Sequence, residues 1–201
     1  MLVYGQTRDD FRAQLIETIT SYSVIRKETK LSSGGTSPIY FNLKTTMLDP
    51  MGAAALSRMM LSDILINPVD IVAGLELGAV PIIGALMREA ALASPDLGLS
   101  LQGMIMRKST KEHGTSVAIE GIRPGQNIAG LDVAVVEDVT TTGTSAMRVV
   151  DAFRAAGANV ISVHTIVDRQ EGADEVFAAS GVAFTPLLTR SEIEASMSEA
   201  A

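Results

Sequence analysis

Apolar residues recur along the chain in two spacings, which predict alternating helices and strands. Spacings of three and four residues, typical of amphipathic helices, occur in residues 9–21, 50–66, 82–93, 146–156 and 173–179, and again from Ser191 onwards. Short apolar runs that predict strands occur at residues 70–74, 133–136, 159–167 and 182–188, and two further β-like pieces flank a turn within residues 23–44. The helical pattern of residues 50–66 turns Met51, Ala54, Ala55, Met59 and Leu65 inward.

The composition favours an α/β protein. Hydrophobic residues make up 47% of the 201 residues, aromatic residues only 4%, and the mean hydropathy is +0.28. A core that must be aliphatic, in a chain rich in Ala, Val, Ile, Leu and Gly, suits helices packed closely on a parallel sheet. The length allows one domain with a substantial core, and we interpret residues 1–201 as a single domain.

Charge and cysteine content exclude several classes of protein. The net charge of −7 argues against a general nucleic-acid surface, which needs clustered cations. The absence of cysteine excludes disulfides, thiolate catalysis and cysteine metal sites. The N-terminus lacks the basic and apolar regions of a signal peptide, and no run of about 18 apolar residues occurs. We therefore expect a soluble cytoplasmic protein without a membrane partner, in which any anionic ligand is captured locally.

Residues 133–145, VAVVEDVTTTGTS, carry the clearest chemistry. An apolar strand, a loop and a helix follow one another there, and a helix N-terminus offers unpaired N–H groups to an anion. The loop adds hydroxyls at Thr141, Thr142, Thr144 and Ser145. Glu137 and Asp138 would repel a bare phosphate, so they fit neutral hydroxyls or a metal bound beside the anion. A sugar phosphate suits both the donors of the loop and the two carboxylates. The alternative is a helix cap beside a turn at Gly143.

The motif lacks the Gly-x-x-x-x-Gly-Lys-Ser/Thr pattern and the Gly-x-Gly-x-x-Gly pattern. An apolar strand, an acidic pair and Thr-Thr-Gly-Thr-Ser together resemble the phosphoribosyl pyrophosphate (PRPP) motif of the type I phosphoribosyltransferases. The resemblance implies a doubly wound, mostly parallel sheet flanked by helices, with a small N-terminal hood at about residues 1–45 and a core at about residues 46–201. It also implies that Glu137 and Asp138 hold the ribose hydroxyls and stabilise positive charge on the ring. The loop residues implied to hold PRPP are Thr140, Thr141, Thr142, Gly143, Thr144 and Ser145.

A second motif is a cluster of cations in residues 107–121, RKSTKEHGTSVAIEG. Clustered flexible cations suit a polyanion such as pyrophosphate, although a charge run is also typical of a solvated loop. Arg-Lys-x-x-Lys-x-His-Gly followed by Ile-Glu-Gly resembles the catalytic loop of the orotate phosphoribosyltransferases. The resemblance implies that Arg107, Lys108, Lys111 and His113 bind the pyrophosphate group, with Lys111 and His113 among the catalytic residues.

The segments expected to contact the base resemble the same group. Ser33, Gly34, Ser37, Pro38, Tyr40 and Phe41 match its hood, which implies that Tyr40 and Phe41 lie against orotate. Arg169 matches an arginine that meets the base's carboxylate, and Thr141 is expected to contact orotate too; a helix-capping cluster is the alternative for Arg169. The sequence departs at Ser32, where some members have lysine, and Lys27, Lys30 or Lys44 are candidates to replace that charge. For Gly78, in the place of the pyrophosphate loop, we expect only backbone contacts.

The resemblance implies transfer of the phosphoribosyl group from PRPP to orotate, in pyrimidine biosynthesis. It implies Mg²⁺ bound mainly through PRPP, with no dedicated metal ligands on the protein, and a homodimer whose catalytic loop serves the neighbouring subunit. Two alternatives remain. A purine phosphoribosyltransferase shares the acidic pair and phosphate loop, and a regulatory protein that keeps the fold and binds nucleic acid would need a basic face.

Overall fold

The computed structural model describes residues 5–30, 36–97, 100–108 and 119–199. Helices and strands alternate through most of that range, as the apolar spacings predict. The helices are α1 (Arg8–Tyr22), α2 (Lys44–Met47), α3 (Pro50–Ile64), α4 (Ala79–Leu97), α5 (Thr144–Ala155), α6 (Ala173–Ala179) and α7 (Arg190–Glu199). The strands are β1 (Val24–Lys30), β2 (Thr36–Phe41), β3 (Ile71–Leu75), β4 (Gln102–Met106), β5 (Ile119–Glu120), β6 (Asp132–Thr140), β7 (Asn159–Asp168) and β8 (Ala183–Thr189).

The main sheet has six strands in the order β5-β4-β3-β6-β7-β8. Strands β4, β3, β6, β7 and β8 are parallel to their neighbours, whereas the two-residue β5 pairs antiparallel with β4. The chain goes outward from β3 to β4 and then returns to place β6 on the other side of β3. This reversal opens a crevice at the carboxyl ends of β3 and β6, which is where doubly wound sheets bind ligands.

Apolar side chains cover both faces of this sheet. One core contains Val72, Ala134, Val136 and Ile166 of the sheet, with residues of α1, α3 and α4. The other contains Val133, Val135 and Val163, with Phe153 of α5 and Phe177 of α6. Alternation of the Val133–Val136 side chains between the two cores follows from the two-residue period of a strand. The expected α/β fold with a mostly parallel sheet between helices is confirmed.

The N-terminal strands form a separate two-stranded ribbon. β1 and β2 pair antiparallel, with Val24 opposite Phe41, as the two β-like pieces predict. Ser23 joins the ribbon to α2: its hydroxyl contacts those of Thr45 and Thr46, each at 2.7 Å, and its carbonyl accepts a hydrogen bond from the Asn42 N–H. The ribbon thereby reaches the edge of the cleft with Tyr40 and Phe41.

Four details differ from the sequence prediction. β6 runs on through the acidic pair to Thr140, because β7 pairs with it as far as Thr140 opposite Asp168. β4, β5 and the short α2 had no recognisable pattern, since β4 is short and β5 pairs through two residues. α4 begins at Ala79 and ends at Leu97, longer at both ends than the predicted helix. Met51 is 55% exposed rather than inward, because it stands in the first turn of α3.

None of the helices in the described part of the chain combines the length and hydropathy that a bilayer crossing requires. Of the two histidines of the chain, His164 lies in β7 and is buried. Its Nε2 lies 3.0 Å from the Ser162 hydroxyl, whereas its Nδ1 has no hydrogen-bond partner among the described residues. Burial lowers the pKa of His164 to about 4.

Candidate active site

The candidate site is a cleft of about 360 Å³ at the point where the strand order reverses. The β3–α4 loop forms one wall, the end of β6 and the start of α5 form another, and β2 and Arg169 complete it. The described residues that line it are Tyr40, Phe41, Leu75, Glu76, Gly78, Ala79, Lys108, Val136, Glu137, Asp138, Val139, Thr141, Ser145, Ala146, Val149 and Arg169. Eight of these belong to the predicted site, so the fold brings together segments far apart in sequence.

Glu137 projects from β6 into a largely enclosed place. Its Oε2 accepts a hydrogen bond from the Thr140 hydroxyl at 2.9 Å. Burial raises the pKa of the Glu137 carboxyl from 4.5 to about 7, and the neighbouring Asp138 charge adds to this rise. The Thr140 and Ser145 hydroxyls act in the opposite direction. Burial therefore makes ionisation of Glu137 energetically costly in the protein without ligand. Hydrogen-bond donors of a ligand, or a cation bound with it, would reduce that cost.

Asp138 lies against the β3–α4 loop at Gly78. A Cβ atom on Gly78 would stand 2.5 Å from Asp138 Oδ1 and 2.8 Å from its Cγ, closer than side chains allow. At Gly74, a Cβ atom would stand 2.6 Å from the Val136 carbonyl oxygen. Glycine at Gly74 therefore lets β3 approach β6 closely, and glycine at Gly78 does the same for the loop after β3. The Asp138 carboxyl can then lie at the cleft.

The predicted phosphate loop leads into α5. Gly143 precedes the helix with φ at +76°, and a Cβ atom there would also stand 2.8 Å from the Phe177 ring. The first N–H groups of a helix have no partner within it, so the start of α5 offers donors towards the cleft. Thr141 and Ser145 line the cleft. Thr140 is buried against Glu137, and the Thr142 and Thr144 hydroxyls contact each other at 2.9 Å.

Arg169 follows β7 and is only 4% exposed. Its Nε donates to Glu171 Oε1 at 3.0 Å, and its backbone N–H donates to the Thr140 carbonyl at 2.9 Å. The neighbouring Nη2 is buried with no hydrogen-bond partner among the described residues. A buried guanidinium N–H without a partner is costly, so this side chain is suited to a planar anionic group in the cleft.

The two predicted hood aromatics lie at the same cleft with different exposure. Tyr40 is 37% exposed, whereas Phe41 is 3% exposed and belongs to the core. Consecutive strand residues point to opposite faces, so only Tyr40 presents much free ring surface at this edge. The hood residues Ser32, Ser33 and Gly34 lie outside the described residues, and so do the side chains of Lys27 and Lys30; Lys44 is exposed on α2.

The cationic motif begins at the end of β4. Lys108 lines the cleft, while Arg107 pairs with Glu120 at 3.3 Å and approaches Glu76 at 4.0 Å. The predicted catalytic residues Lys111 and His113 lie outside the described residues, as does Gly114. Their position at the cleft therefore remains a prediction from the sequence.

Glu76 is a cleft residue that the motifs did not single out. It follows β3, and its Oε1 accepts a hydrogen bond from the Lys108 N–H at 2.8 Å. Its position in a loop after a buried strand was the available signal, because the carboxyl ends of parallel strands carry ligand sites.

The side chains present suit a magnesium ion that is shared with a ligand. No group of three or more acidic or histidine side chains in the described ranges is arranged to enclose a metal ion. Glu137 and Asp138 nevertheless bring carboxylate oxygens to the cleft, and oxygen is the ligand that Mg²⁺ prefers. Because Mg²⁺ commonly retains waters and binds through substrate phosphates, this donor set fits a substrate-borne ion.

Comparison with known proteins places these features in a family. The sequence pattern of the phosphoribosyl transferase domain matches residues 45–183. An orotate phosphoribosyltransferase from Rhodopseudomonas palustris strain BisB5 is 45% identical over 181 residues, which cover 90% of this chain and 95% of that protein. One from Bradyrhizobium sp. strain BTAi1 is 46% identical over 88% of this chain and 93% of that protein.

The fold is also similar to that of a solved structure. The Mycobacterium tuberculosis H37Rv orotate phosphoribosyltransferase in complex with PRPP superposes with a TM-score of 0.73 at 32% identity, covering 92% of this chain and 99% of that chain. The family pattern begins in α2 and ends at the start of β8, so it includes the crevice, the acidic pair and Arg169. The chain therefore belongs to the type I phosphoribosyltransferase family and, within it, to the orotate phosphoribosyltransferases.

Proposed function

We propose that this protein transfers the 5-phosphoribosyl group of PRPP to orotate, giving orotidine 5′-monophosphate and pyrophosphate, a step of pyrimidine (UMP) biosynthesis. The observation that carries the choice of base is Arg169, whose buried Nη2 lacks a partner at the cleft that Glu137 and Asp138 also line. A carboxylate on the base supplies the missing acceptor. A purine has no such group, so a purine phosphoribosyltransferase would leave this Nη2 without a partner.

We infer roles for the cleft residues, and their positions support these roles. The N–H groups at the start of α5, with the hydroxyls of Thr141, Thr142, Thr144 and Ser145 and the backbone of Gly143, hold the 5′-phosphate of PRPP. Thr140, which the sequence had placed in the same set, is buried, and its hydroxyl donates to the Glu137 carboxylate instead. Glu137 and Asp138 accept hydrogen bonds from the ribose hydroxyls. As pyrophosphate departs, positive charge develops on the ribose ring, and these carboxylates stabilise it. Tyr40, Phe41, Thr141 and Arg169 place orotate so that its ring nitrogen meets C1 of the ribose.

The leaving group is held from the other side of the cleft. Lys108 extends from β4 at the cleft, and Arg107, Lys111 and His113 complete a set of cations for the pyrophosphate. Glu137 and Asp138 are the described carboxylates that could share a substrate-borne Mg²⁺, which would neutralise further charge on the leaving group. We expect residues 107–121, the cationic segment, to close over PRPP and to exclude water, which otherwise would hydrolyse PRPP.

We further propose that the protein works as a homodimer in which each cationic segment serves the neighbouring subunit's phosphate site. The cytoplasmic location expected from the sequence also stays a prediction, which fractionation of the source cells tests. Arrangement of residues 1–201 as one domain, with a hood at about residues 1–45, is supported by the way Ser23 joins the β1–β2 ribbon to α2.

A panel of bases tests the proposed reaction directly. The purified protein is mixed with PRPP, Mg²⁺ and either orotate, uracil, adenine or hypoxanthine, and nucleotide formation is followed by absorbance and chromatography. We expect orotate alone to be consumed rapidly, and only when PRPP and Mg²⁺ are both present. Faster conversion of another base would contradict the assignment to orotate, and omission of PRPP or Mg²⁺ provides the control.

A further inference from the structure

Three carboxylates line the cleft, and the proposed reaction assigns roles to only two of them. The third, Glu76, is the first residue after β3. Its backbone N–H donates to the Met106 carbonyl at 2.9 Å, which continues the pairing of β3 with β4 by one step. Its carboxylate then reaches past the end of β4, where Oε1 accepts from the Lys108 N–H at 2.8 Å. Glu76 is thus attached at two points to the strand that leads into the cationic segment.

The second attachment fixes the direction in which the chain leaves β4. A backbone N–H lies in the plane of its peptide, so a short hydrogen bond to it sets the orientation of the peptide between Arg107 and Lys108. Since Lys108 lines the cleft, the Glu76 carboxylate helps to determine where that lysine stands.

The surrounding charges agree with this role. Arg107 has Glu120 at 3.3 Å on one side and Glu76 at 4.0 Å on the other. The Glu120 side chain is 58% exposed, and that of Glu76 33%, so the inner carboxylate is the better shielded of the two. A carboxylate in a cleft for a polyanion carries an electrostatic cost, and a hydrogen bond that orders two neighbouring cations gives a reason for it.

We propose that Glu76 is a positioning residue, which holds the Arg107–Lys108 peptide so that Lys108 faces the leaving group. This inference rests on the proposed function for the identity of that leaving group. The hydrogen-bond acceptor, rather than the charge, is the property that matters. Glu76 itself has no assigned contact with the reacting atoms.

Two variants separate the acceptor from the charge. Glu76→Gln keeps the reach and an acceptor oxygen but removes the charge, whereas Glu76→Asp keeps the charge but is one methylene too short. We expect E76Q to retain kcat within about threefold, and E76D to lose about tenfold in kcat with little change in KM for orotate. Any result in which E76Q is not clearly more active than E76D would overturn the proposal.

Glu120→Gln is the matched control, because it removes the other carboxylate beside Arg107 without touching the Lys108 N–H. It should leave kcat within about twofold of the original. A loss as large as that of E76D would show that the charge around Arg107, not the bond to Lys108, controls turnover, and would overturn the proposal. Thermal melting confirms that all three variants fold.

A measurement without substrate separates this proposal from the proposed function. Trypsin cleaves after Arg107 and Lys108, and mass spectrometry gives the rate at each bond in the protein without ligand. We expect faster cleavage in E76D, by about fivefold, and unchanged rates in E76Q and E120Q. Equal rates in E76D and the original protein would overturn the proposal even if orotate is converted. Failure to convert orotate, with faster cleavage in E76D, would reject only the proposed function.

Discussion

The carboxyl group of Glu137 lies where a negative charge is costly. Burial raises its pKa to about 7, whereas an unfolded glutamate has 4.5. Between pH 4.5 and about pH 7, the folded state therefore keeps a proton on Glu137 that the unfolded state has released. Its contribution to stability is fully present below pH 4.5 and is lost as pH rises through 7. In the proposed reaction this cost is met by ribose hydroxyls that donate to the carboxylate.

Glu137→Gln should consequently stabilise the protein while it impairs the reaction. Glutamine keeps the size and an acceptor for Thr140, but it has no charge to desolvate. At pH 8 we expect the free energy of unfolding to rise by about 2–3 kcal/mol relative to the original protein, and at pH 4.5 the difference should nearly vanish. Urea denaturation without ligands at both pH values measures this.

The exposed Glu175 of α6 provides the control for that comparison. Glu175→Gln should change the free energy of unfolding only slightly, and by a similar amount at pH 4.5 and pH 8. If Glu137→Gln destabilises the protein at pH 8, the account of a costly buried charge is wrong.

Arg169 is a second charged side chain whose burial is costly. Nearly all of the side chain is buried, Nε is paired with Glu171, and Nη2 has no partner among the described residues. The sequence indicated a match to the base-binding arginine but left a capping role open. The unpaired Nη2 favours the binding role, because a capping arginine would direct its donors to backbone carbonyls.

Arg169→Lys should weaken orotate binding far more than PRPP binding. Lysine keeps the charge but cannot reproduce two parallel hydrogen bonds to a carboxylate. We expect KM for orotate to rise about tenfold or more, equivalent to at least about 1.4 kcal/mol, with KM for PRPP changed less than threefold. Glu171→Gln is the control, since it removes the ion pair and leaves the fork. An unchanged KM for orotate in Arg169→Lys would return this residue to a structural role.

At the scale of elements, the sequence predicted the strands and helices whose apolar spacing is unambiguous. α1, α3 and β7 begin and end within two residues of the predicted bounds, and α6 coincides with them. The apolar run at residues 133–136 predicted a strand that ends at the acidic pair. Pairing with β7 instead continues β6 through Thr140, so the acidic pair lies on a rigid element and not in a loop.

Contacts between helices, strands and loops could not be predicted from the local pattern of apolar and polar residues. Gly78 was expected to approach a ligand, yet the nearest atoms to its missing side chain belong to Asp138. Gly143 packs against the Phe177 ring of α6, which is 34 positions further along the chain. The contact of Glu76 is of the same kind, since its partner Lys108 is 32 positions away. Such pairings depend on the strand order, which no window of the sequence contains.

At the scale of the whole molecule, the reversal of strand order explains why one cleft holds all of these groups. β3 supplies Glu76 and Gly78 at its end, β6 supplies the acidic pair, and β7 supplies Arg169. Lys108 comes from β4, and Tyr40 from the ribbon beside the sheet. The family resemblance in the sequence implied this convergence. Residues of a single chain form the walls of the cleft, and which subunit supplies Lys111 is a prediction about the proposed dimer.

Mixed dimers of two inactive variants test whether the cationic segment serves the neighbouring subunit. Lys111→Ala keeps the phosphate site, and Asp138→Asn keeps the segment. After the two are unfolded and refolded together in equal amounts, about half of the dimers are mixed, and each mixed dimer has one complete site if the segment acts between subunits. We expect activity to return to about one quarter of that of the original protein per subunit.

Refolding each variant alone gives the baseline, and mass spectrometry of the intact dimers measures the mixed fraction. If each segment acted within its own subunit, every subunit in the mixture would carry one defect, and activity would stay at the baseline. Mixed dimers without recovered activity would therefore reject the shared site. Recovery that follows the mixed fraction as the ratio of variants is changed would support it, because a two-fold dimer makes the exchange reciprocal.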